Sequence, residues 1–295
     1  MSISIQKSFD ERSSEGFGKL YLVATPIGNL EDMTYRAVRT LQEADIIAAE
    51  DTRQTRKLLT HFEISPGKLL SYHEHNKAAS GPELIRFIIE GKNLALVSDA
   101  GLPAISDPGS DLVKLAVEKG ISVIPIPGAN AALSALIVSG LPTERFQFIG
   151  FLPRDHKDRD NLLNSLQDEE STMLFYESPH RVIKTLESML KAWGDRKVVL
   201  ARELTKRYEE MARGLLSESI SWLEEHPPLG EYCIVVAGAH PEEVKERKDA
   251  WWQPLSVEEH VRHYEEQEGL SRKEAMKKAA GDRGVSKRDI YKELL

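Results

Sequence analysis

The 295-residue sequence predicts an α/β protein that has two α/β domains followed by a small helical unit. Short apolar runs alternate with segments of helical periodicity through residues 17–143, which is typical of parallel strands joined by helices. A less regular alternation continues through residues 144–240. The charged residues 241–295 favour helices and contain no strand signal. We expect these three ranges to be separate domains, preceded by a disordered polar tail at residues 1–16.

The first domain shows five apolar runs that are typical of buried parallel strands. They predict strands at Leu20–Ala24, Ala44–Ala49, Lys68–Ser71, Leu94–Val97 and Ser122–Pro125. The segments between and after them predict helices at Thr34–Leu41, Arg53–His61, Pro82–Glu90, Asp111–Lys119 and Ala131–Ser139. Thr34 or Asp32 caps the first helix, and Gly91 ends the third. This order implies a parallel sheet with right-handed crossovers.

The second domain is predicted to be a mixed α/β unit. Its strands are expected at Phe146–Phe151, Thr172–Tyr176, Lys197–Ala201 and Tyr232–Ala237. Its helices are expected at Asn161–Gln167, Val182–Trp193 and Ser219–Glu225. The polar segment 155–160 reads as a loop before the first of these helices.

The C-terminal residues predict three helices, because three serines are each followed by an acid three positions later. Ser256 with Glu259, Ser271 with Glu274 and Ser286 with Asp289 form capping boxes or close relatives of them. Gly269 ends the first helix, and Gly281 or Gly284 ends the second. The predicted inner faces carry Val257, Val261, Tyr264, Ala275, Ala279, Ile290 and Leu294.

These last helices are basic, although the whole chain has a net charge of -8. From Ser271 onward the cations are Arg272, Lys273, Lys277, Lys278, Arg283, Lys287, Arg288 and Lys292. Such a surface is either a solvated helical face or a surface that contacts the phosphates of RNA.

Three strand-to-loop junctions carry almost no side-chain bulk. They read TPIGN after the first strand, SDAGLPAISDPG after the fourth and PGAN after the fifth. Any one of them is typical of a structural turn. Together, at the carboxyl ends of parallel strands, they favour a shared ligand pocket made by backbone groups. Neither a P-loop nor a GxGxxG motif is present, which argues against ordinary ATP or NAD binding.

Composition narrows the class of protein further. The single cysteine, Cys233, lies in an apolar run and is expected in the core, which favours a reducing cytoplasm. We expect no secretory signal and no membrane span, because no apolar run approaches the roughly 20 residues that a membrane helix needs. His73 and His75 share one side of a predicted strand end, but no third ligand is evident, and we predict no metal site.

Several longer strings closely resemble one known family. They are TPIGNLED, AEDTRQTRKLL, YHEHN, SDAGLPAISDPG, PGANAALSAL, GFLPR and FYESPHR. The chain resembles the ribosomal RNA small-subunit methyltransferase I family, within the tetrapyrrole methylase superfamily, over about residues 18–240. The resemblance implies two α/β domains with S-adenosyl-L-methionine in the cleft between them. It also implies a homodimer that 2'-O-methylates a cytidine in the decoding region of 16S rRNA in the small ribosomal subunit.

The resemblance also implies which residues bind the methyl donor. By position these are Asp99, Ala100, Gly101, Ile105, Asn130, Ala131, Tyr176, Glu177 and Leu204. Many superfamily members have Gly-Asp-Pro where this chain reads Asp-Ala-Gly-Leu-Pro, and Asp99 is our candidate for the usual Asp contact. Thr25 and Asn29, in the loop after the first strand, are assigned to the cleft floor as substrate contacts.

A ribose hydroxyl is a poor nucleophile, so a base or cation is expected beside it. Glu50, Asp51 and Arg53 end a buried strand next to the small-residue loops, and we assign them to the substrate side, with Arg53 on a phosphate. Asp51 is equally suited to capping the next helix. His180 has a suitable intrinsic acidity for a base. Arg154 is a further phosphate ligand candidate.

Two other functions stay open at this point. A tetrapyrrole methyltransferase would use the same donor on a porphyrinoid ring, but the basic tail disfavours it. A non-enzymatic RNA-binding protein would use the α/β body as a scaffold and would not bind S-adenosyl-L-methionine.

Overall fold

The structure, a computed structural model, describes residues 5–8, 16–249 and 251–294. The chain divides into two compact units. The first unit contains the described residues up to 164 together with residues 171–237, and it holds two five-stranded sheets. The second unit contains residues 165–170 and the described residues from 238 onward.

The limits of the three predicted domains stay predictions. Most of the predicted disordered tail, residues 1–4 and 9–15, lies outside the described residues. No helix in the described ranges is both long enough and apolar enough to cross a membrane.

The first sheet is entirely parallel, as the alternating pattern predicts, and has the order β3-β2-β4-β1-β5. Its strands are β1 (Leu20–Val23), β2 (Ile46–Ala49), β3 (Lys68–Ser71), β4 (Leu94–Val97) and β5 (Val123–Ile126). The helices are α1 (Tyr35–Glu43), α2 (Thr52–His61), α3 (Lys77–Ile89), α4 (Gly109–Glu118) and α5 (Ala131–Ser139). Thr34 caps α1 and accepts a hydrogen bond from the Ala37 amide.

Burial on both faces explains why the central strands are apolar throughout. In β2, Ile46 and Ala48 join one hydrophobic cluster, which includes side chains of α3 and α4. Ile47 and Ala49 point the other way, into a cluster with side chains of α1 and α2. Successive side chains of a strand alternate between faces, so four consecutive apolar residues serve two cores.

The second sheet is mixed and has the order β6-β7-β10-β8-β9. Its strands are β6 (Phe146–Phe151), β7 (Thr172–Glu177), β8 (Lys197–Arg202), β9 (Glu210–Leu215) and β10 (Tyr232–Val236). Only β6 and β7 are parallel to each other; the other neighbours are antiparallel. The helices of this region are α6 (His156–Ser165), α7 (Val182–Trp193) and α8 (Leu216–Glu225).

Helix α5 connects the two sheets through its packing. It follows β5 of the first sheet, but its buried residues Ala132, Ala135 and Leu136 belong to the core of the second sheet. Tyr176 of β7 adds a polar contact, because its hydroxyl accepts a hydrogen bond from the Ala132 amide at 3.3 Å. The loop between β5 and α5 is therefore held from both sides.

Three predicted helix starts are wrong, and one of them is that of α8, which begins at Leu216 rather than Ser219. The third helix begins at Lys77 rather than Pro82, so Pro82 is an interior residue. Proline is favoured in a first turn but tolerated elsewhere when packing compensates for the lost hydrogen bond. Helix α6 begins at His156, inside the segment predicted as a loop, because the Asp155 carboxylate accepts hydrogen bonds from the amides of Lys157 and Asp158.

Strand β9 was not predicted from the sequence. It is an edge strand that pairs only with β8, and its residues are mostly half-buried. Its six residues include Glu210, Arg213 and Gly214, so it lacks the apolar run that identifies a central strand.

The second unit contains α9 (Pro241–Asp249), α10 (Val257–Gln267), α11 (Arg272–Asp282) and α12 (Lys287–Glu293). All three predicted capping boxes are present. Gly284 rather than Gly281 follows the end of α11, with the left-handed φ of +64°. The predicted inner faces form one hydrophobic cluster, to which Met276 and Ala280 also belong.

His260 is a buried polar residue of the inner face of α10 that the sequence did not predict. Its side chain is fully buried, and its ring stacks on Trp252 with centroids 5.5 Å apart. Its Nδ1 accepts a hydrogen bond from Arg283, and its Nε2 lies 3.2 Å from the Asp282 carboxylate. Burial lowers the pKa of His260 despite the opposing effect of Asp282, so the neutral imidazole is favoured in the fold.

We predict that the second unit loses stability as the pH falls below about 6.5, the ordinary histidine pKa. The unfolded chain then binds a proton that buried His260 resists, because its folded pKa is lowered. Thermal unfolding followed by tryptophan fluorescence at about pH 7.5 and pH 5.5 measures the loss. His260→Gln should flatten this dependence, whereas His263→Gln, at an exposed position, should not. Equal acid sensitivity of all three proteins would contradict the assignment.

Candidate functional site

A cavity of about 470 Å³ lies in the first unit among loops that follow strands of both sheets. Its size is in the range of small-molecule sites. The first sheet contributes Ile27, Ala100, Gly101, Leu102, Ile105, Asn130 and Ala131. The second contributes Phe151, Tyr176, Glu177, Ser178, Pro179, Ala201, Leu204, Lys206, Glu231, Tyr232 and Cys233. The lining is mostly apolar, with a few polar groups of fixed position.

The loop after β4 is a strained segment held by one carboxylate. Ala104 and Ser106 have the positive φ angles of 72° and 63°, which are unfavourable for residues with side chains. The Asp107 carboxylate accepts hydrogen bonds from the amides of Ala104 and Gly109, at 2.9 and 2.7 Å. Burial raises the pKa of Asp107, and these hydrogen bonds oppose the rise.

The loop after β1 is joined to the loop after β4 by backbone pairing. The amides and carbonyls of Thr25 and Gly101 exchange two hydrogen bonds, at 2.9 and 3.1 Å. The Thr25 hydroxyl donates to the Ser98 carbonyl. Gly101 has a φ of +81°, so a side chain there would be strained. This pairing sets the first-sheet wall of the cavity.

The loop after β7 contributes a buried acid. Glu177 is 2 % exposed and accepts hydrogen bonds from the Ser178 amide and the Thr185 hydroxyl, both at 2.8 Å. Arg181 lies 3.4 Å from the same carboxylate and donates to the carbonyl of Leu152 at 2.8 Å. Glu177 and Arg181 therefore connect the ends of β6 and β7.

The loop after β8 lies against the loop after β1 of the first sheet. A Cβ atom at Gly28 would lie 2.4 Å from Cγ of Lys206 and 3.2 Å from the Leu204 carbonyl oxygen. Glu203 and Thr205 have the positive φ angles of 50° and 67°. Only glycine at position 28 lets the two loops approach so closely.

Lys206 is fixed by two carboxylates. Its ammonium lies 2.9 Å from Glu203 and 2.8 Å from Glu231. Glu203 also accepts a hydrogen bond from the Glu231 amide, so the loop after β8 is bonded to the start of β10. Although partial burial lowers the pKa of Lys206, the two glutamates raise it overall, and the ammonium stays charged.

The structure brings together eight of the nine residues predicted to bind the donor. These eight line the cavity: Ala100, Gly101, Ile105, Asn130, Ala131, Tyr176, Glu177 and Leu204. Asp99 is not among the lining residues. Its carboxylate accepts a hydrogen bond from the Asp51 amide at 2.9 Å and links the ends of β2 and β4.

The four residues predicted to be catalytic lie outside the cavity lining. Asp51 caps α2 and is paired with Arg53 at 2.8 Å, an interaction that lowers the pKa of Asp51 to about 2. Glu50 is half-buried; burial, Asp99 and Asp107 raise the pKa of its carboxyl. His180 is exposed.

The four residues predicted to contact the substrate differ in their exposure to solvent. Thr25 is only 3 % exposed and its hydroxyl donates to the Ser98 carbonyl, so its assignment as a substrate contact stays a prediction for a residue that is buried in the wall. Asn29 caps the short 3-10 helix Leu30–Asp32 and is partly exposed. Arg53 and Arg154 are exposed.

Sequence reasoning missed most of the second-sheet wall. Lys206, Glu231 and Cys233 line the cavity but stand in none of the quoted motifs, and Phe151 lies in the GFLPR string without having been assigned to the site. Cys233 is the predicted core cysteine, and burial raises the pKa of its thiol to about 12. The alternation of side chains along β10 predicts that Cys233 and Val235 lie on the same face of the sheet. It does not predict that this face borders a cavity.

Among the described residues, no group of three or more His, Cys, Asp or Glu side chains is arranged to hold a metal ion. His73 and His75 lie with ring centroids 6.0 Å apart.

Comparison with known proteins defines the class of protein. The family model of tetrapyrrole (corrin/porphyrin) methylases matches residues 19–219. Uroporphyrin-III-C-methyltransferase from Thermus thermophilus is similar in structure, with a TM-score of 0.54, 20 % identity and coverage of 78 % of this chain and 97 % of that one. At this identity the likeness shows the fold alone. The family model therefore defines the class as a tetrapyrrole methylase, in which three loops of the parallel sheet here line a cavity together with residues of the mixed sheet.

Closer relatives narrow the class to one family. Ribosomal RNA small subunit methyltransferase I of Halalkalibacterium halodurans is 58 % identical over 286 residues, which is 97 % of each chain. The protein of the same name from Bacillus subtilis is 53 % identical and covers 97 % of this chain and 96 % of its own. This chain belongs to the ribosomal RNA small subunit methyltransferase I family.

We predict that Gly28→Val lowers the free energy of unfolding by about 1–3 kcal/mol, the usual cost of overpacking. The new side chain would meet Lys206 and the backbone of Leu204 at a contact that the two glutamates hold in place. Urea unfolding measures the change. Gly281→Ala is the control, because a Cβ atom there has nothing within 4 Å and its φ is not positive. If both variants were as stable as the parent protein, the close contact would not be a constraint.

Proposed function

We propose that this protein transfers a methyl group from S-adenosyl-L-methionine to the 2'-oxygen of a cytidine in the decoding region of 16S rRNA. The observation that carries the proposal is the 58 % identity, over nearly the whole chain, to a relative named ribosomal RNA small subunit methyltransferase I. The small ribosomal subunit is the proposed substrate, and we therefore place the reaction in the cytoplasm.

The cavity fits the methyl donor. Its volume and mostly apolar wall suit an adenosyl group, and its polar groups are backbone amides and a few fixed side chains. We assign donor binding to Ala100, Gly101, Ile105, Asn130, Ala131, Tyr176 and Leu204. Glu177 and Asp99 act on the loops that form the wall, because their carboxylates are bonded to neighbouring residues.

The bound donor supplies a methyl group that its positive sulfur already activates. What remains for the chain is alignment of the sugar oxygen with that methyl group, which is worth roughly 7–11 kcal/mol in favourable cases. The strained loops after β4 and β8 serve this purpose, since each is held by a carboxylate: Asp107 in one, Glu203 in the other.

Glu50 is the proposed general base. It directly precedes Asp51, whose amide is bonded to Asp99 in the loop after β4, and burial, Asp99 and Asp107 raise the pKa of its carboxyl. A raised pKa makes a carboxylate a stronger proton acceptor. Asp51, with its lowered pKa, is better suited to holding Arg53, and Arg53 is 88 % exposed for contact with a phosphate.

Two basic surfaces support RNA as the partner. On α2, the exposed cations Arg53, Arg56 and Lys57 are spaced i, i+3, i+4 and share a shallow depression with His61. In the second unit, Arg272 and Lys278 are paired with glutamates, and Arg283 is bonded to His260. Helices α11 and α12 carry four further exposed cations: Lys273, Lys277, Arg288 and Lys292.

A homodimer is part of the proposal. Helix α5 has no charged residue and exposes Leu133, Ile137 and Val138 by 44 %, 75 % and 42 %. An exposed apolar face of this kind favours a protein contact, and a second copy is the partner that the family resemblance implies.

We predict that Glu50→Gln lowers the rate of methyl transfer about 100- to 10,000-fold and leaves donor affinity unchanged. In the parent protein the rate should fall as the pH drops through the raised pKa of Glu50, because the protonated carboxyl cannot accept a proton. Transfer of labelled methyl groups to small ribosomal subunits, with titration of the donor, measures both. Glu83→Gln, at an exposed position of α3, is the control. A fully active Glu50→Gln would exclude this residue as the base.

We also predict that neutralising four exposed cations of α11 and α12, Lys273, Lys277, Arg288 and Lys292, weakens RNA binding. The slope of log affinity against log salt should fall by about 0.7–0.9 for each lost phosphate contact, while donor binding is unchanged. The control variant replaces Lys114, Lys119, Lys191 and Lys197, which are exposed in the first unit. An unchanged salt slope in the four-residue tail variant would reject the tail as an RNA contact.

A further inference from the structure

Phe151 is an aromatic side chain that lines the cavity and is nonetheless 57 % exposed. Most large apolar side chains at this site are half-buried or buried; Leu204, for example, is 8 % exposed. An exposed phenylalanine ring costs free energy in water, so its placement at the rim of a binding cavity points to a ligand that covers it.

A β-bulge directs Phe151 toward the cavity. In the pairing of β6 with β7, Phe148 is opposite Leu174 and Gly150 is opposite Phe175, so Ile149 is an extra residue. Gly150 has a φ of +76°, which a bulge of this kind requires. Without the extra residue, Phe148 and Phe151 would lie on opposite faces of the strand.

Because of the bulge, both phenylalanines lie against the same aromatic ring. The centroid of Tyr176 lies 5.0 Å from Phe148 and 5.7 Å from Phe151, in edge-on arrangements. Phe148 is packed against the core of the second sheet. The Tyr176 hydroxyl is hydrogen-bonded to the Ala132 amide at the start of α5. This bond fixes the position of the Tyr176 ring, against which Phe151 packs. The ring of Phe151 is therefore held in position while a large part of its surface is open.

The first-sheet side of the cavity approaches the same bulge. A Cβ atom at Gly150 would lie 3.4 Å from the hydroxyl oxygen of Ser106, in the strained loop after β4. Ile105 of that loop also lines the cavity and is 43 % exposed. Ile105 and Phe151 are thus the large apolar side chains of the lining that are exposed to solvent, whereas Ala201, Tyr232 and Cys233 of the same lining are buried.

We propose that Phe151 is the stacking surface for the base of the acceptor nucleotide. The proposal rests on the proposed function. The buried apolar part of the lining suits the small methyl donor, whereas a nucleotide of an RNA chain must approach from solvent, where Phe151 is exposed, with its base out of the helical stack. A flat ring with an open face is the group that binds such a base, at about 1–3 kcal/mol per base.

The test uses methyl transfer to small ribosomal subunits by the full-length chain, with separate titration of S-adenosyl-L-methionine. Phe151→Ala and Phe151→Leu should each lower kcat/KM for subunits about 5- to 150-fold, the equivalent of one lost stacking contact. Phe151→Trp, which keeps a flat ring, should restore most of it. Donor affinity should stay within about twofold in all three variants.

Phe146→Leu is the matched control. Phe146 lies on the same strand and is 42 % exposed, but it does not line the cavity, so its replacement should leave every value unchanged.

Three outcomes would overturn the inference. Full activity of Phe151→Leu would show that apolar bulk suffices and that no stacking occurs. A loss of donor affinity in Phe151→Ala would place the adenine of the donor on the ring instead. An equal loss in Phe146→Leu would indicate a general effect on β6. Failure of the unsubstituted protein to methylate subunits would instead count against the proposed function.

Discussion

The backbone contact between Gly28 and the loop 204–206 is the constraint on which the site depends. It brings a loop of the first sheet against a loop of the second, at a distance that no side chain at position 28 would permit. The contact persists because Lys206 is held by Glu203 and Glu231, on the two chain segments that flank the cavity. Loops from both sheets therefore enclose one volume rather than two separate clefts.

Polar groups in this site act mainly on the backbone. Asp107 holds the loop after β4, Glu177 holds the loop after β7, and Asp99 joins β2 to β4. A carboxylate taken out of water is costly unless it accepts hydrogen bonds. Half-buried Asp107 accepts them from two backbone amides, and buried Glu177 accepts them from a backbone amide and the Thr185 hydroxyl. Such a wall is rigid without presenting much charge to the ligand, which agrees with an apolar cavity and with catalysis by alignment.

The two sheets share helix α5, and this arrangement explains why a site forms between them. The helix belongs by sequence to the first sheet and by packing to the core of the second. Asn130 and Ala131, at its start, consequently line the cavity together with Tyr176 of β7. Because α5 follows β5 directly and packs into the core of the second sheet, the position of the cavity is a property of the packed fold rather than of flexible loops.

Local patterns in the sequence predicted much of this protein. Uniform apolar runs identified the parallel strands, serine–acid pairs identified three helix starts, and small-residue loops identified the first-sheet wall, because each is a short-range property of the chain. The edge strand β9, the starts of α3 and α6, and the burial of Thr25 depended on neighbours distant in sequence. The same is true of Phe151 and Lys206: a bulge directs one and two glutamates hold the other, so only the tertiary structure placed them at the cavity.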